Sequence, residues 1–279
     1  MFKKLSAFLL AFLLLLTLVA CGGTQPPTIS EAPAPAELRV LAYETYSNIF
    51  HYLSIGPGQP GAYDIDLVMD MDMTMFGETV HTRTYASMVM IADGHRTQAS
   101  IAMTMDMGEL DGMSLGTTDM EMYMVLEGET LTAMRFKVDG QEIPAEFFPD
   151  GELEAIFEAA FEDTVNLPEL YLEAVLSAEF EELDGNTVIH MALDGEALLD
   201  LTMSRMENAL GGAWVPADMD VEAADIYMTI VTDGHGNPLS LVMEWPMRIS
   251  LDGEEAVMTS ISTLTFNAFG DNVEMSLFV

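Results

Sequence analysis

Basic residues are scarce in this chain. Its 279 residues carry 9 Lys and Arg against 46 Asp and Glu, a formal charge of −37 at pH 7. Such a polyanion repels phosphate, which excludes nucleic acid as a natural partner and sets the body of the protein against anionic lipid headgroups. Cysteine is scarcer still. Cys21 is the only one, so no intramolecular disulfide can form and no cysteine pair is available for zinc or redox chemistry. The five histidines, His51, His81, His95, His190 and His235, show no H-x-H or H-E-x-x-H spacing, which leaves a zinc centre without support. Phosphate-binding glycine loops, dinucleotide fingerprints and haem-attachment motifs are missing too, so the sequence implies no cofactor. Stability therefore has to come from an ordinary apolar core, and half of the residues are hydrophobic. That much apolar material is not the disorder signature, and the acidity reads as a solubilising shell around a greasy interior.

Long unbroken apolar runs are also few, and the one at the start is informative. Lys3 and Lys4 precede an apolar stretch from Phe8 to Val19, as in an export signal. It ends on Leu18-Val19-Ala20-Cys21, which resembles the lipobox of bacterial lipoproteins: an aliphatic residue, two small ones, then the cysteine that is lipidated. The stretch is too short for an ordinary spanning helix. Cleavage before Cys21 would leave two acyl chains on the new N-terminus, enough for stable anchoring. Loss of Lys3 and Lys4 with residues 1–20 would leave 7 basic residues against 46 acidic ones, a formal −39. The expected address is the outer face of a bacterial cytoplasmic membrane, with a Gram-positive cell surface as the fitting case. No protein partner can be named from the sequence.

Residues 21–36 are small, polar and proline-rich and read as a tether. The spacing of Leu38, Leu41, Tyr46, Ile49, Phe50 and Leu53 predicts a helix over 37–54, stopped by the Gly56-Pro57-Gly58-Gln59-Pro60-Gly61 run. From Tyr63 the period changes to two. Ile65, Leu67, Met69, Met71, Met73 and Met75 alternate with Asp64, Asp66, Val68, Asp70, Asp72 and Thr74, as on a half-buried antiparallel strand. The pattern returns at Ile101–Met107, at Met120–Leu126 and at Met134–Val138, with Asp93-Gly94, Asp111-Gly112, Glu127-Gly128 and Asp139-Gly140 as hairpin turns. Residues 63–139 thus predict a meander of about five long strands. Residues 144–178 read as helical, with Leu153, Ile156, Phe157, Ala160 and Phe161 on one face and a second helix starting at Leu167-Pro168. A hairpin at Asp184-Gly185 follows, then a helical pattern over 195–210. Four closing strands are expected around Ile226–Ile230, Leu239–Trp245, Met258–Phe266 and 272–279.

The two halves echo each other in element order and in one tetrapeptide, Ala92-Asp93-Gly94-His95 against Thr232-Asp233-Gly234-His235. A duplication with a period near 140 residues is the reading. A lipobox, a tether, an N-terminal helix, a meander, mid-chain helices and a second meander together resemble the LolA-like half-barrel lipoproteins. That group includes the mycobacterial LppX/LprG-type carriers and uncharacterised Gram-positive lipoproteins. The stretch from Glu182 to Met191 (ELDGNTVIHM), running into Asp194-Gly195-Glu196-Ala197-Leu198, is similar to a strand-to-helix junction in the uncharacterised members. The resemblance implies a curved antiparallel sheet with helices in its concave face, and a hold on acyl chains or lipidated proteins. It brings no catalytic residues.

The 24 methionines admit three readings. Met-x-Met rows such as Met69 to Met75 could offer thioethers to Cu(I), but neighbours along a row stand about 7 Å apart and His81 is the only nearby helper. They could be plain core. They could also form a soft wall that repacks around a greasy ligand, and methionine used where valine or isoleucine would make a better strand favours plasticity. The aspartate row Asp64, Asp66, Asp70 and Asp72 cannot wrap calcium from an extended strand and reads as a solvated face. Gly112-Met113-Ser114-Leu115-Gly116 matches G-x-S-x-G by letter, yet it sits between strands with no helix behind it. His190 and His235 have no ordered acid partner to make them bases.

The expectation is therefore an α+β half-barrel over 37–279. It has a strongly curved antiparallel sheet of about ten strands, with helices packed on or lidding the concave face. Two helix-plus-meander halves, about 37–139 and 195–279, are joined by a helical segment at 144–194. The expected activity is non-enzymatic binding of an apolar ligand, a lipid or acyl chain, for carriage or presentation. Met69, Met71, Met73, Met103, Met105, Met122 and Met124 are the expected wall and Phe157 and Phe161 the lid. The alternative is a solid-core surface module that senses or scaffolds a protein and holds no small molecule.

Overall fold

A computed structural model describes residues 36–53, 60–75, 78–110, 113–114, 116–128, 130–143, 172–199, 219–251 and 254–275. Cys21, Phe157, Phe161, the tether and residues 144–171 and 200–210 of the expected helices lie outside them. Of the helical stretch expected over 144–178, residues 172–174 are helical and 175–178 instead begin a strand, whose edge pairing overrides the helical pattern. The first described element is a helix, α1 (Ala36–Leu53), followed by the strand β1 (Gly61–Met75). The meander continues through β2 (Glu78–Ala92), β3 (Arg96–Asp106), β4 (Glu109–Leu110), β5 (Met113–Ser114), β6 (Thr117–Glu127), β7 (Thr130–Val138) and β8 (Gln141–Ile143). After residue 174 come β9 (Val175–Leu183), β10 (Asn186–Leu193), β11 (Met219–Ala223), β12 (Ile226–Thr232), β13 (Pro238–Leu251) and β14 (Glu254–Phe269).

Among the described residues twelve strands form one open antiparallel sheet in the order β8-β7-β6-β3-β2-β1-β14-β13-β12-β10-β9, with β11 attached to β13 and β4-β5 a separate hairpin. Twelve replaces the expected ten because two short strands, β8 and β11, extend the array. The separate strand expected over 272–279 is not formed in its described part, and β14 is the last described strand, ending at Phe269. Gly270–Asn272 is a 3-10 turn that tucks Val273 into the interior, and residues 273–275 are irregular. Residues 195–199 are helical, and Asp194 Oδ1 caps this helix by accepting the Ala197 N–H at 3.1 Å.

The meanders meet at their first and last strands. β1 pairs with β14 over Tyr63↔Phe269 to Met75↔Ala256. The first half then steps outward from β1 to β8, and the second runs inward from β9 to β14. That head-to-tail order is the one two tandem copies would take. The echoing turns sit at the same end of the sheet and fold alike. Asp93 Oδ1 accepts the N–H groups of His95 (3.0 Å) and Arg96 (2.8 Å). Asp233 Oδ1 accepts those of His235 (2.8 Å) and Asn237 (2.9 Å), one residue longer. Both are Asx turns, which need the Asp that the repeated tetrapeptide supplies.

Alternation divides the sheet into two faces. On one, Tyr63, Ile65, Leu67, Met90, Ala99, Met120, Ile189, Met191, Met228, Ile230, Leu241 and Phe266 form the buried core together with Ala42, Tyr46 and Ile49 of α1. This helix packs on β9 and β1. Those strands are five steps apart in sheet order, about 24 Å at ~4.8 Å per strand, and an 18-residue helix spans about 27 Å. The length of α1 thus matches the width of the second half of the sheet. Among the described residues no helix is long and apolar enough to cross a membrane.

Candidate ligand-binding face

All seven methionines expected to form a wall lie on the face that carries α1. Met69, Met103 and Met124 are buried there, while Met71, Met73, Met105 and Met122 are half-buried. They are not one contiguous patch, because the register interleaves them with small residues. On β2 the positions facing Met69 and Met71 are Thr84 and Thr82, and Ala86 stands between Leu67 and Met103. On the other side of β1, Met69 faces Ser262 and Met71 faces Ser260 of β14. Beyond β14, Met243 faces Ser262 and Trp245 faces Ser260. Over this stretch tall side chains on β3, β1 and β13 thus alternate with short ones on β2 and β14, a local trough of small residues on each side of β1, bounded by Met88 and Met90 on β2 and by Met258, Leu264 and Phe266 on β14.

The β14 trough contains what the sequence reading passed over. Ser262 is fully buried and Ser260 and Trp245 are each 5 % exposed. Ser260 Oγ, Ser262 Oγ and Trp245 Nε1 have no hydrogen-bond partner among the described residues. Buried polar groups are nearly always paired, so three orphans side by side on an apolar face call for an explanation. The available signal was a gap in the alternation: between Met258 and Leu264 the inward positions 260 and 262 are serines. Under α1 the packing is tight. The crevice lined by Tyr43, Tyr46, Val175, Met191 and Leu193 has no volume that a water molecule could enter.

The opposite face is acidic, and its β1 carboxylates have partners on the neighbouring strands. Asn267 Nδ2 donates to Asp64 (3.2 Å) and Asp66 (2.9 Å), Arg83 Nε lies 3.2 Å from Asp70, and His81 Nδ1 lies 2.8 Å from Asp72. His81 is therefore turned away from the Met69–Met73 row, so the thioethers and their nearest imidazole are not brought together. Among the described residues no group of His, Cys, Asp and Glu could hold a metal. His190 Nδ1 sits 3.0 Å from Thr229 Oγ1. Ser114 lies exposed on the short strand β5, where its Oγ accepts the Gly116 N–H at 3.3 Å. That is a strand-to-strand setting, not the strand-to-helix elbow the G-x-S-x-G motif requires.

No family model and no curated protein matches the chain. Solved structures with some likeness include a DUF1329 family protein from Desulfovibrio piger, 10 % identical over 83 % of this chain and 94 % of that one, with a TM-score of 0.26. A beta-barrel-like DUF1849 protein from Brucella abortus is 8 % identical over 74 % and 98 %, with a TM-score of 0.25. A putative outer membrane lipoprotein-sorting protein domain from Vibrio parahaemolyticus is 11 % identical over 86 % and 96 %, with a TM-score of 0.18. At these scores the likenesses assign neither a family nor an activity to this chain.

Proposed function

We propose that this protein is an extracytoplasmic lipoprotein, anchored through Cys21, that holds an apolar ligand such as a lipid or acyl chain for carriage or presentation and catalyses no reaction. The observation that carries the reading is the ridge-and-trough face. Half-buried methionines stand beside short Thr, Ala and Ser positions, a surface that a chain molecule fits and that thioether side chains can repack around. Curvature of the sheet around that face, and a lid containing Phe157 and Phe161, belong to the same proposal. The signal-like residues 1–21 supply the address.

The tight packing beneath α1 favours the second reading, a solid-core interaction module, for that half of the sheet. Two measurements separate the readings. Full-length protein purified from bacterial membranes in a sugar detergent, extracted with organic solvent and analysed by mass spectrometry, is expected to release about one apolar molecule per chain. A lipid-free extract that stays unchanged after incubation with mixed lipids selects the interaction module. Cys21→Ala is expected to abolish labelling by a radioactive fatty acid and to release the protein from the membrane fraction.

A further inference from the structure

We infer that Trp245, Ser260 and Ser262 form the polar end of the ligand site and select an uncharged head bearing ester or hydroxyl oxygens, as in an acylglycerol. The inference rests on the apolar-ligand role proposed above and adds the chemistry of the head. Trp245 and Ser260 are directly opposed across β13 and β14, and Ser262 lies two residues along on the same face. Opposed side chains start about 5 Å apart and successive inward positions about 7 Å. The indole Nε1–H can only donate, and each hydroxyl can donate and accept. Three donors and two acceptors, all buried and without partners among the described residues, therefore stand on neighbouring positions of one face, within the span of a glycerol backbone. On each side stand apolar ridges that suit an acyl tail: Met69 and Met71 on β1, and Met243 beside Trp245 on β13.

Charge decides the class of head. Among the described residues the inward positions of β1 (63–73), β13 (241–247) and β14 (256–266) include no Lys, Arg, His, Asp or Glu. A phosphate or carboxylate placed there would be buried with no counter-charge, a heavy penalty. The chain's own formal charge of −37 adds repulsion at longer range. A neutral head avoids both penalties and satisfies the orphaned atoms.

The two tryptophans of the chain make the test direct. In full-length Trp214→Phe protein, Trp245 is the sole indole and reports contact with a bromine-bearing lipid by quenching. Dibrominated monooleoylglycerol is expected to quench it saturably at one per chain. The Ser260→Ala/Ser262→Ala variant is expected to bind this probe about tenfold more weakly, the loss of two neutral hydrogen bonds. A brominated alkane of equal length, which has no head, should bind both proteins alike, and that equality excludes misfolding of the variant. Dibromostearic acid should bind only in its protonated form, with affinity falling as pH rises from 5 to 8. Equal binding of acid and glyceride at pH 8, with no effect of the serine substitutions, overturns head selection and leaves the apolar-ligand role standing. No saturable quenching by any of the three probes overturns both.

Discussion

Replacing Ser262 by alanine should stabilise the ligand-free protein. The residue is fully buried and its Oγ has no partner, so folding strips the hydroxyl of water and returns nothing. Leaving such a group unsatisfied costs about 1–3 kcal/mol. Alanine keeps the Cβ and removes one oxygen. The resulting hole of about 12 Å³ costs only ~0.3 kcal/mol at ~24 cal/mol per Å³ of cavity. The balance favours the Ser262→Ala variant by about 1–2 kcal/mol, which for a chain of this size raises Tm by about 2–6 °C. Delipidated wild-type and Ser262→Ala protein, compared by thermal and urea unfolding, provide the measurement. Ser100→Ala is the companion, because Ser100 is equally buried and unpartnered but lies on the acidic face. Both substitutions should stabilise, and only Ser262→Ala should weaken ligand binding. A drop in Tm for Ser262→Ala would refute the reasoning, because it would show that the hydroxyl already has a partner, such as an ordered water.

Three further outcomes follow from the geometry. Burial drives the Tyr63 hydroxyl, which donates to Met88 Sδ at 3.5 Å, far above the usual tyrosine range near 10. Above pH ~10 the unfolded chain loses this proton first, so stability is whole below that pH and falls as pH climbs; alkaline denaturation of Tyr63→Phe should lack this part of the slope. The carboxyls of Asp93 and Asp233 are held below the ordinary range, the first chiefly by the His95 N–H and the second chiefly by the Asn237 side chain. Each adds stability that is present above pH ~4 and lost as pH falls through the lowered value, so Asp93→Ala and Asp233→Ala should flatten acid denaturation, and carbonyl NMR titration should find both carboxyls below their neighbours. At Gly195 a Cβ would run into the carbonyl oxygen of Ala224. Gly195→Ala is therefore expected to lower stability by about 1–3 kcal/mol, measured as a urea midpoint.

The two-residue period made the strands legible. Four of the five long strands of 63–139 and the helix at the N-terminal end stand where Ile65–Met75, Ile101–Met107, Met120–Leu126, Met134–Val138 and Leu38–Leu53 placed them, while β2 follows from the expected count of five and had no alternation of its own read for it. Pairing between distant strands was not legible, since nothing in the pattern of β1 distinguishes β14 from any other apolar neighbour. The short strand β11 escaped as well: five residues give too little alternation. Its cause is readable afterwards in Pro246, which lacks an N–H in mid-strand. β12 pairs with β13 up to Glu244 and β11 resumes from Met247, while the Pro246 carbonyl takes the Ala224 N–H at 3.1 Å. At the candidate site the methionine ridges could be read from the sequence, but the serine trough could not. Ser260 and Ser262 gain meaning only once Trp245 and two ridges are known to stand beside them.

The junction of β1 with β14 also governs how the chain must be made. In chain order β1 opens the sheet and β14 closes it, so β1 keeps a bare edge until the last strand has arrived. Contacts so remote in sequence form slowly, and an uncovered strand invites pairing with another nascent chain. Asp64, Asp66, Asp70 and Asp72 lie along that strand, and like charges on it oppose pairing with the same strand of another copy. Asn267, arriving with β14, then bridges Asp64 and Asp66 in the finished sheet.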